Sequence, residues 1–331
     1  MKTVSFFNHK GGVGKTTLLF NVGLAMAKHG KTVLFIDADA QTNLTGAALS
    51  SDKYEEVLNR KATIYNALEP VIKTIGEPNF VEPVKIRDGA YLLPGDIRLS
   101  EFEEVLPAAW TDSIAGIYQG FQRTTAVDRL TRHLAAQVGA DYVLVDLGPS
   151  VGALNRVVML GSDGFVVPLA PDLFSLTALP SVGKSVHRWV EEWRTAKQSA
   201  ARTGVADDLP YDLPAGTPSP LGYVSQQFAS YRSAPAAAFQ RWIDKIPQTY
   251  ESGVVGPLRS AGVTIPAASA RLGEVKNLSS LVPMAQQKNL AVFELTGSEA
   301  RGSQYTRAQD TLKLFKDLSD RIVTRLDQVV V

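Results

Sequence analysis

The hydrophobic pattern at the start of the chain predicts a strand, a loop, a helix and a second strand. Residues 3–7 form a short β-branched and aromatic run, and a glycine-rich turn follows it. Over residues 17–29 apolar side chains recur at near-helical spacing, and Gly30 then provides a helix stop. The apolar run at residues 32–36 is typical of a buried parallel strand. We therefore expect one complete βαβ unit that ends at Asp39.

Further short apolar runs predict additional strands along the chain. They lie at residues 142–145, 165–169, 221–224 and 263–265. Helical patterns separate most of these runs, which predicts an α/β fold with a doubly wound, mostly parallel sheet flanked by helices. Residues 305–329 place apolar side chains on one helical stripe, so we expect a helix that packs on the sheet.

Two stretches exceed a minimal α/β core, although we expect residues 1–331 to form a single domain. A long excursion of about residues 50–135 separates the second and third recognisable strands, and residues 93–96 within it resemble a turn. Residues of about 203–220 are rich in proline, glycine and aspartate, so we expect an exposed loop there.

Composition excludes several classes of function. The chain of 331 residues is 45% hydrophobic and 20% charged, as expected of a soluble globular protein. No apolar run approaches the roughly 18 to 20 residues of a membrane span, and the first strand leaves no room for a signal peptide, so we expect a cytoplasmic protein. The absence of cysteine excludes disulfides, thiolate metal sites and a cysteine nucleophile. The net charge of +1 neither indicates nor excludes nucleic-acid binding.

The octapeptide KGGVGKTT at residues 10–17 lies between the first predicted strand and helix. Its glycines allow backbone N–H groups to converge on a phosphate, and the helix presents its positive end to the same anion. Lys15 is expected to reach the β- and γ-phosphates of a nucleotide, and the Thr16 hydroxyl to hold Mg²⁺. The predicted nucleotide-binding residues are Gly11, Gly12, Val13, Gly14, Lys15, Thr16 and Thr17. A chance glycine turn would not require this position between a strand and a helix.

Three segments together resemble the nucleotide motifs of the ParA/MinD group, and most closely those of the ParA partition ATPases. They are KGGVGKTT, FIDADAQTN at residues 35–43 and YVLVDLGPS at residues 142–150. Weaker similarity continues in YLLPGDIRL, VPLAPDLFSLTAL and IPAASARLGEV. The ordinary P-loop has glycine at position 9, where this chain has His9, and here a lysine follows at position 10. The resemblance therefore implies a P-loop NTPase of the deviant Walker A type that binds ATP and Mg²⁺.

The resemblance also implies roles for charged residues. Lys10 matches the signature lysine, which reaches the partner's phosphates in an ATP-bound homodimer and stabilises charge as an arginine finger does. Lys10, Lys15 and Asp39 would then form the catalytic set, and Asp39 would position the attacking water. The alternative for Lys10 is an exposed, solvated lysine.

Carboxylates at strand ends complete the expected Mg²⁺ site. Asp37 and Asp39 follow the second strand, where ligands of open α/β sheets bind. Asp146 follows a hydrophobic strand and is the Walker B carboxylate, while the resemblance assigns Asp37 a supporting role at Mg²⁺. A helix cap is the alternative role for any of them. Residues 39–43 lack the family's usual proline and glycine, which affects the geometry of that turn.

The base and DNA contacts are less clearly indicated. By resemblance Gln226 would lie near the adenine and Pro266 in a loop that covers the base, although a surface role fits Gln226 equally. Relatives bind nonspecific DNA through basic residues in two regions, which here contain Lys184, Arg188, Arg271 and Lys276. A solvated helix face is the alternative for the first two.

The family resemblance implies a dimeric ATPase switch. It would bind nonspecific DNA, and a ParB-type partner would stimulate hydrolysis, so that a plasmid, a chromosome or another cargo is positioned on the nucleoid. One alternative is a ParA-like accessory ATPase in defence, secretion or cellulose synthesis. Another is a metabolic enzyme of the same fold, but the absence of cysteine excludes a glutaminase version. A MinD-type membrane switch would need a basic amphipathic tail, which residues 325–331 do not provide.

Overall fold

The strands form one eight-stranded sheet in the computed structural model. The structure describes residues 1–170, 172–226, 236–276, 278 and 280–329. The strands are β1 Lys2–Phe6, β2 Val33–Ala38, β3 Val84–Arg87, β4 Ala90–Leu93, β5 Tyr142–Leu147, β6 Gly164–Leu169, β7 Ser219–Gln226 and β8 Arg271–Val275. Their order is β3-β4-β2-β5-β1-β6-β7-β8. All neighbouring pairs are parallel except β3 and β4, which are antiparallel.

Helices connect and cover these strands. They are α1 Lys15–Lys28, α2 Asn43–Ala48, α3 Ser51–Asn59, α4 Ile64–Ile72, α5 Ser100–Ala115, α6 Tyr118–Thr124, α7 Ala126–Val138, α8 Ala153–Leu160, α9 Leu173–Thr203, α10 Val205–Asp208, α11 Ala236–Tyr250, α12 Gly256–Ser260, α13 Leu281–Gln287 and α14 Ser303–Val329. A π-helical turn, Glu251–Val255, joins α11 to α12. No helix in the described part of the chain combines the length and apolar character that a bilayer crossing requires.

Two hydrophobic cores cover the two faces of the sheet. On one face α9 buries Trp189 and Trp193 with side chains of α4, α5, α7 and α8. On the other face α1 packs with α14, which contributes Phe315 and Ile322. The central strands are buried throughout because helices cover both of their faces, which is why they appear as continuous apolar runs. The prediction of a doubly wound, mostly parallel α/β sheet is confirmed.

The position of β1 determines where a ligand can bind. β1 lies between β5 and β6, and the chain passes from β1 through α1 to β2 on the far side of β5. The connections after β1 and β6 thus diverge, which opens a crevice at the carboxyl ends of the strands. The loops that follow β1, β2 and β5 all begin at this edge.

One predicted strand is wrong. Residues 263–265 have irregular backbone, and the last strand is instead β8. The Val263 N–H donates to the Leu258 carbonyl at 3.0 Å and closes the end of α12, so this apolar run packs as a connector rather than as a ladder strand. The remaining predicted strands, the first helix and the final helix are all present.

The two added stretches contain regular structure. The excursion at residues 50–135 includes β3 and β4, and β4 pairs directly with β2. The stretch at residues 203–220, expected to be an exposed loop, contains α10 and the start of β7, and its exposed positions alternate with buried ones such as Leu209.

Candidate functional site

The loop between β1 and α1 has the conformation of an anion cradle. Gly12 and Gly14 have φ angles of 71° and 75°, in the left-handed region that favours glycine. Alternating backbone of this kind turns successive N–H groups toward one point, and α1 begins at the next residue, Lys15. The positive end of the helix therefore faces the same anion as the loop.

Asn8, which follows β1, and Gln226 at the end of β7 hold this loop in place. Asn8 is fully buried, and its amide nitrogen donates to the Pro168 carbonyl at 2.8 Å while its oxygen accepts from the Lys10 N–H at 3.0 Å. Gln226 at the end of β7 donates to the Val13 carbonyl at 2.7 Å. The cradle is thus anchored to the sheet on the side of β6 and β7.

Two carboxylates lie side by side beneath the loop. Asp37 of β2 and Asp146 of β5 are register partners on adjacent strands, and both are buried. The Thr16 hydroxyl donates to Asp146 Oδ2 at 2.6 Å. Asp146 Oδ1 is buried and has no hydrogen-bond partner among the described residues. Because buried acceptors are normally paired, this oxygen is available to a cation or to a hydrogen-bond donor.

The pKa shifts of Asp37 and Asp146 also indicate a site that favours a bound cation. Burial raises the pKa of Asp146 to about 8, and the neighbouring Asp37 adds to the increase. Burial raises the pKa of Asp37 to about 6, although hydrogen bonds from Thr45 oppose this shift. Burial also lowers the pKa of Lys15 against the attraction of Asp146 and Asp39. Both carboxylates would be stabilised in their ionised form by a nearby cation.

The residues present fit a Mg²⁺ ion that is shared with a nucleotide. The free oxygen of Asp146 and the Thr16 hydroxyl are hard oxygen ligands, and Mg²⁺ commonly takes its other ligands from phosphates and water. Within the described ranges no group of three or more His, Cys, Asp or Glu side chains could hold a metal ion alone. A cation here would therefore depend on phosphate oxygens.

The turn after β2 keeps its shape without the usual proline and glycine. Thr42 occupies the glycine position and adopts a left-handed φ of 54°. Its N–H donates to the Asp39 carbonyl at 2.9 Å, and α2 begins at the next residue. Asp39 accepts from the Gln41 N–H at 3.0 Å and packs against Gly148, where an added Cβ would lie 3.2 Å from Asp39 Oδ1. The Asp39 carboxylate is thus held between the loops that follow β2 and β5.

Lys10 is paired within its own subunit. Its Nζ atom lies 2.5 Å from Asp172 Oδ2 and 3.5 Å from Ser175 Oγ. The same ammonium lies 5.7 Å from the centre of the Phe174 ring, which is exposed. Residues at the start of α9 therefore hold the Lys10 ammonium within the same chain.

The match to a protein family decides what this site is. Residues 1–198, more than half of the chain, match the family model described as an AAA domain. The chain belongs to this family. It is a P-loop ATPase of the ParA/MinD type, and the resemblance in its three nucleotide motifs is confirmed.

Individual relatives agree with this assignment. Chromosome partitioning protein ParA of Caulobacter vibrioides is 30% identical over 191 residues, which cover 57% of this chain and 63% of that protein. The chain thus spans less than two thirds of the length of this relative. The crystal structure of protein DIP2308 from Corynebacterium diphtheriae has a TM-score of 0.69 at 25% identity and covers 87% of this chain and 97% of that chain. A McdA–ATP complex from Cyanothece, 17% identical, shares the fold with a TM-score of 0.58 over 98% of this chain and 96% of its own.

Pro266 is not part of the nucleotide edge of this ParA/MinD-type ATPase. It precedes β8 and lines a cavity with Pro220 and Leu221 at the start of β7. β7 runs parallel to β6, and β6 to β1, so the start of β7 and the cradle lie at opposite edges of the sheet. This placement corrects the expectation that Pro266 covers the base.

Gln226 lies at the correct edge but contacts the loop. Its amide nitrogen is 2.7 Å from the Val13 carbonyl and 3.3 Å from the Gly14 carbonyl, and the side chain is buried. A role at the adenine would leave only its oxygen available. The observed contacts make Gln226 a support of the P-loop backbone, and its contact with adenine stays a prediction.

The structure does not bring the four DNA-binding candidates into one cluster. Lys184 and Arg188 are exposed on α9, and Arg188 lies 3.8 Å from Glu192. Arg271 begins β8 and pairs with Glu274 at 2.6 Å, whereas Lys276 follows the other end of that strand. All four remain near the surface.

Sequence reasoning missed four residues that shape the site. They are Asn8, Thr45, Gly95 and Asp172. Asn8 directly precedes the P-loop, and that adjacency is a usable signal. Gly95 and Asp172 lie in YLLPGDIRL and VPLAPDLFSLTAL, and the family similarity of these segments is a second usable signal. The contacts that these two residues and Thr45 make depend on the tertiary fold.

Proposed function

We propose that this protein is an ATP-dependent dimerising switch. Mg·ATP would join two subunits, the dimer would bind DNA without sequence preference, and a ParB-type partner would stimulate hydrolysis and release. The observation that most supports the ATP step is the glycine cradle over Thr16 and Asp146, whose Oδ1 atom has no partner among the described residues.

The roles of the residues follow from their positions. The N–H groups of the cradle and Lys15 would hold the β- and γ-phosphates, and Thr16 and Asp146 would hold Mg²⁺ with Asp37 beside them. Bound Mg²⁺ would neutralise charge that develops on the phosphate oxygens. Asp39, held between two loops, would orient the attacking water. These assignments rest on placement and family resemblance together.

Lys10 supports a step that depends on dimerisation. Its ammonium is paired with Asp172 in the single chain, so it must leave this partner to reach phosphates of a second subunit. The ion pair is partly buried, and breaking it would require a stronger anion. A partner's ATP would supply such an anion. Lys10 would then stabilise the transition state in trans.

The DNA step is supported by exposed cations and by the named relative. Lys184, Arg188, Arg271 and Lys276 are surface residues, and binding without sequence preference requires only phosphate contacts. A relative named as a chromosome partitioning protein supports a segregation role. The corresponding location is the cytoplasm, in association with the nucleoid.

Trapping the dimer tests this proposal. Asp39→Ala should retain ATP binding, lose hydrolysis and elute as a persistent dimer with Mg·ATP, because the substrate that joins the subunits is no longer consumed. Multi-angle light scattering on eluted peaks gives the mass directly, with Lys15→Ala as the matched variant that should stay monomeric. A monomeric Asp39→Ala protein that binds ATP would contradict the switch. A dimer that does not bind DNA would favour the alternative of a ParA-like accessory ATPase.

A further inference from the structure

Thr45 of α2 links Asp37 to the loop that follows β4. Asp37 Oδ2 accepts two hydrogen bonds from Thr45, one from its N–H at 2.8 Å and one from its hydroxyl at 2.7 Å. The Thr45 hydroxyl in turn accepts from the Gly95 N–H at 2.8 Å. All three bonds are buried, so water cannot replace them easily.

The chemistry of Asp37 and Gly95 determines which atom donates in each hydrogen bond of the Thr45 hydroxyl. A backbone N–H can only donate, and an ionised carboxylate can only accept. The Thr45 hydroxyl proton must therefore point to Asp37 while its lone pair faces Gly95. The hydroxyl is thus oriented toward Asp37 before any ligand arrives.

Gly95 also packs directly against the Asp37 carboxylate. A Cβ at this position would lie 2.9 Å from both Cγ and Oδ2 of Asp37, and 3.2 Å from Thr42 Cγ2. The loop has its own anchors, because the Tyr54 hydroxyl donates to the Gly95 carbonyl at 3.1 Å and Thr63 donates to Asp96 at 2.8 Å. The excursion thus fixes one side of Asp37.

The other carboxylate oxygen is left to face the site. Asp37 Oδ1 has only a long bond of 3.3 Å from the Asp39 N–H among the described residues. Asp37 pairs in register with Asp146, whose Oδ1 atom has no partner. With Oδ2 held by Thr45, the freely available oxygen of Asp37 is the one beside the loop after β2.

We propose that Thr45 is a positioning residue for Mg²⁺ binding: its hydroxyl, oriented by the Gly95 N–H, holds the Asp37 carboxylate in the place that the ion requires. This inference rests on the proposed function, because Asp37 matters to Mg²⁺ only if the site binds Mg·ATP. Outer partners of this kind affect metal affinity strongly without contacting the metal. The excursion, through Gly95, thereby takes part in the nucleotide site.

Replacing the hydroxyl alone tests the inference. Thr45→Val retains the shape and the backbone N–H bond but removes both hydroxyl bonds, whereas Thr45→Ser retains all three. The matched control is Thr311→Val, which removes a buried hydroxyl bond to the Ala308 carbonyl within α14. Each variant is assayed for the Mg²⁺ concentration that gives half-maximal hydrolysis, and for ATP affinity in EDTA and in Mg²⁺.

Thr45→Val should raise the required Mg²⁺ concentration about tenfold or more. ATP affinity in EDTA should stay near the wild-type value, because the cradle and Lys15 are unchanged. Thr45→Ser should restore the Mg²⁺ requirement to within about twofold, since it reinstates the hydroxyl. A merely structural role would lower the thermal midpoint of Thr45→Val and Thr311→Val alike and leave the Mg²⁺ requirement unchanged, which would overturn the inference.

A second variant covers the case in which Thr45→Val does not fold. Gly95→Ala would push on the same Oδ2 side of Asp37 that Thr45 holds, and should likewise raise the Mg²⁺ requirement. An unchanged requirement in Gly95→Ala would contradict the inference. Failure of the proposed function looks different, because wild-type protein would then show no Mg²⁺-dependent gain in ATP affinity at all.

Discussion

The two edges of the sheet differ in how directly local sequence determines them. At the carboxyl edge, the cradle depends on the φ angles of Gly12 and Gly14 and on carboxylates that end adjacent strands. At the opposite edge, the segment around Pro266 takes its position from the packing of α12, β7 and β8. Short sequence motifs are therefore enough to predict the nucleotide site. The structure around the last strand depends on tertiary contacts, which no motif indicates.

Lys15→Ala should have the largest effect on the carboxyl edge. It removes a buried cation that interacts with Asp146 and Asp39, and with it the charge contact that we propose to the β- and γ-phosphates. We expect ATP affinity to fall at least about 100-fold, as two charge-assisted hydrogen bonds would suggest. Calorimetric titration measures this, with Lys28→Ala at the exposed end of the same helix as the control. Unchanged affinity would remove the P-loop assignment.

The buried carboxylates should make the nucleotide-free protein less stable as pH rises. The folded pKa of Asp146 is raised to about 8 and that of Asp37 to about 6, so both hold protons that the unfolded chain has released. The resulting stability is complete below about pH 4 and is lost as pH rises through these values. We expect a decline of about 1 kcal/mol or more between pH 5 and 8.

Urea unfolding in EDTA, without nucleotide, measures that decline. Asp146→Asn should remove the pH dependence of stability above about pH 6, because it removes the group with the higher pKa. Asp37→Asn should flatten the lower part of the curve and shift the upper part to lower pH, because Asp37 contributes to the raised pKa of Asp146. A wild-type slope in Asp146→Asn would show that this carboxylate is already ionised in the folded protein. Binding of Mg·ATP near pH 7 should also release protons, and calorimetry in buffers of different ionisation enthalpy detects them.

Two single substitutions, one at each edge of the sheet, test whether only the carboxyl edge affects ATP binding. Gln226→Leu removes the shared donor to the Val13 and Gly14 carbonyls and should weaken ATP binding about three- to tenfold, since this shared hydrogen bond contributes about 1 kcal/mol. Pro266→Ala should leave ATP affinity within about twofold of wild type, because Pro266 lines the far cavity. Equal losses in both variants would contradict the placement of the two residues.

The smallest expected effect concerns one DNA cation. Arg271→Ala should weaken binding of an unrelated duplex several-fold and reduce the slope of log affinity against log salt by about 1. Arg60→Ala is the matched control, because Arg60 is an exposed arginine that is likewise paired with a glutamate. Equal loss in both variants would assign the effect to net charge rather than to a contact at Arg271.

Sequence predicts those parts of the molecule that local backbone and neighbouring strands determine. The central strands, α1 and the cradle were all expected, because glycine conformations and buried runs leave a local pattern. The Thr45–Gly95 bond spans 50 positions and the Lys10–Asp172 pair spans 162, so neither leaves such a pattern. β3 and β4 are short, and β4 is recognisable as a strand only through its pairing with β2.

The proposed switch requires that the bound nucleotide set the affinity for DNA. Fluorescence anisotropy of a labelled, unrelated duplex at low salt tests it for wild type and Lys10→Ala, each with Mg·ATP and with Mg·ADP. Dimerisation doubles the number of cations that one duplex can meet, so wild type should bind tightly only with Mg·ATP, and Lys10→Ala should bind weakly with either nucleotide. Equal affinity of the wild-type protein with Mg·ATP and Mg·ADP would contradict the account.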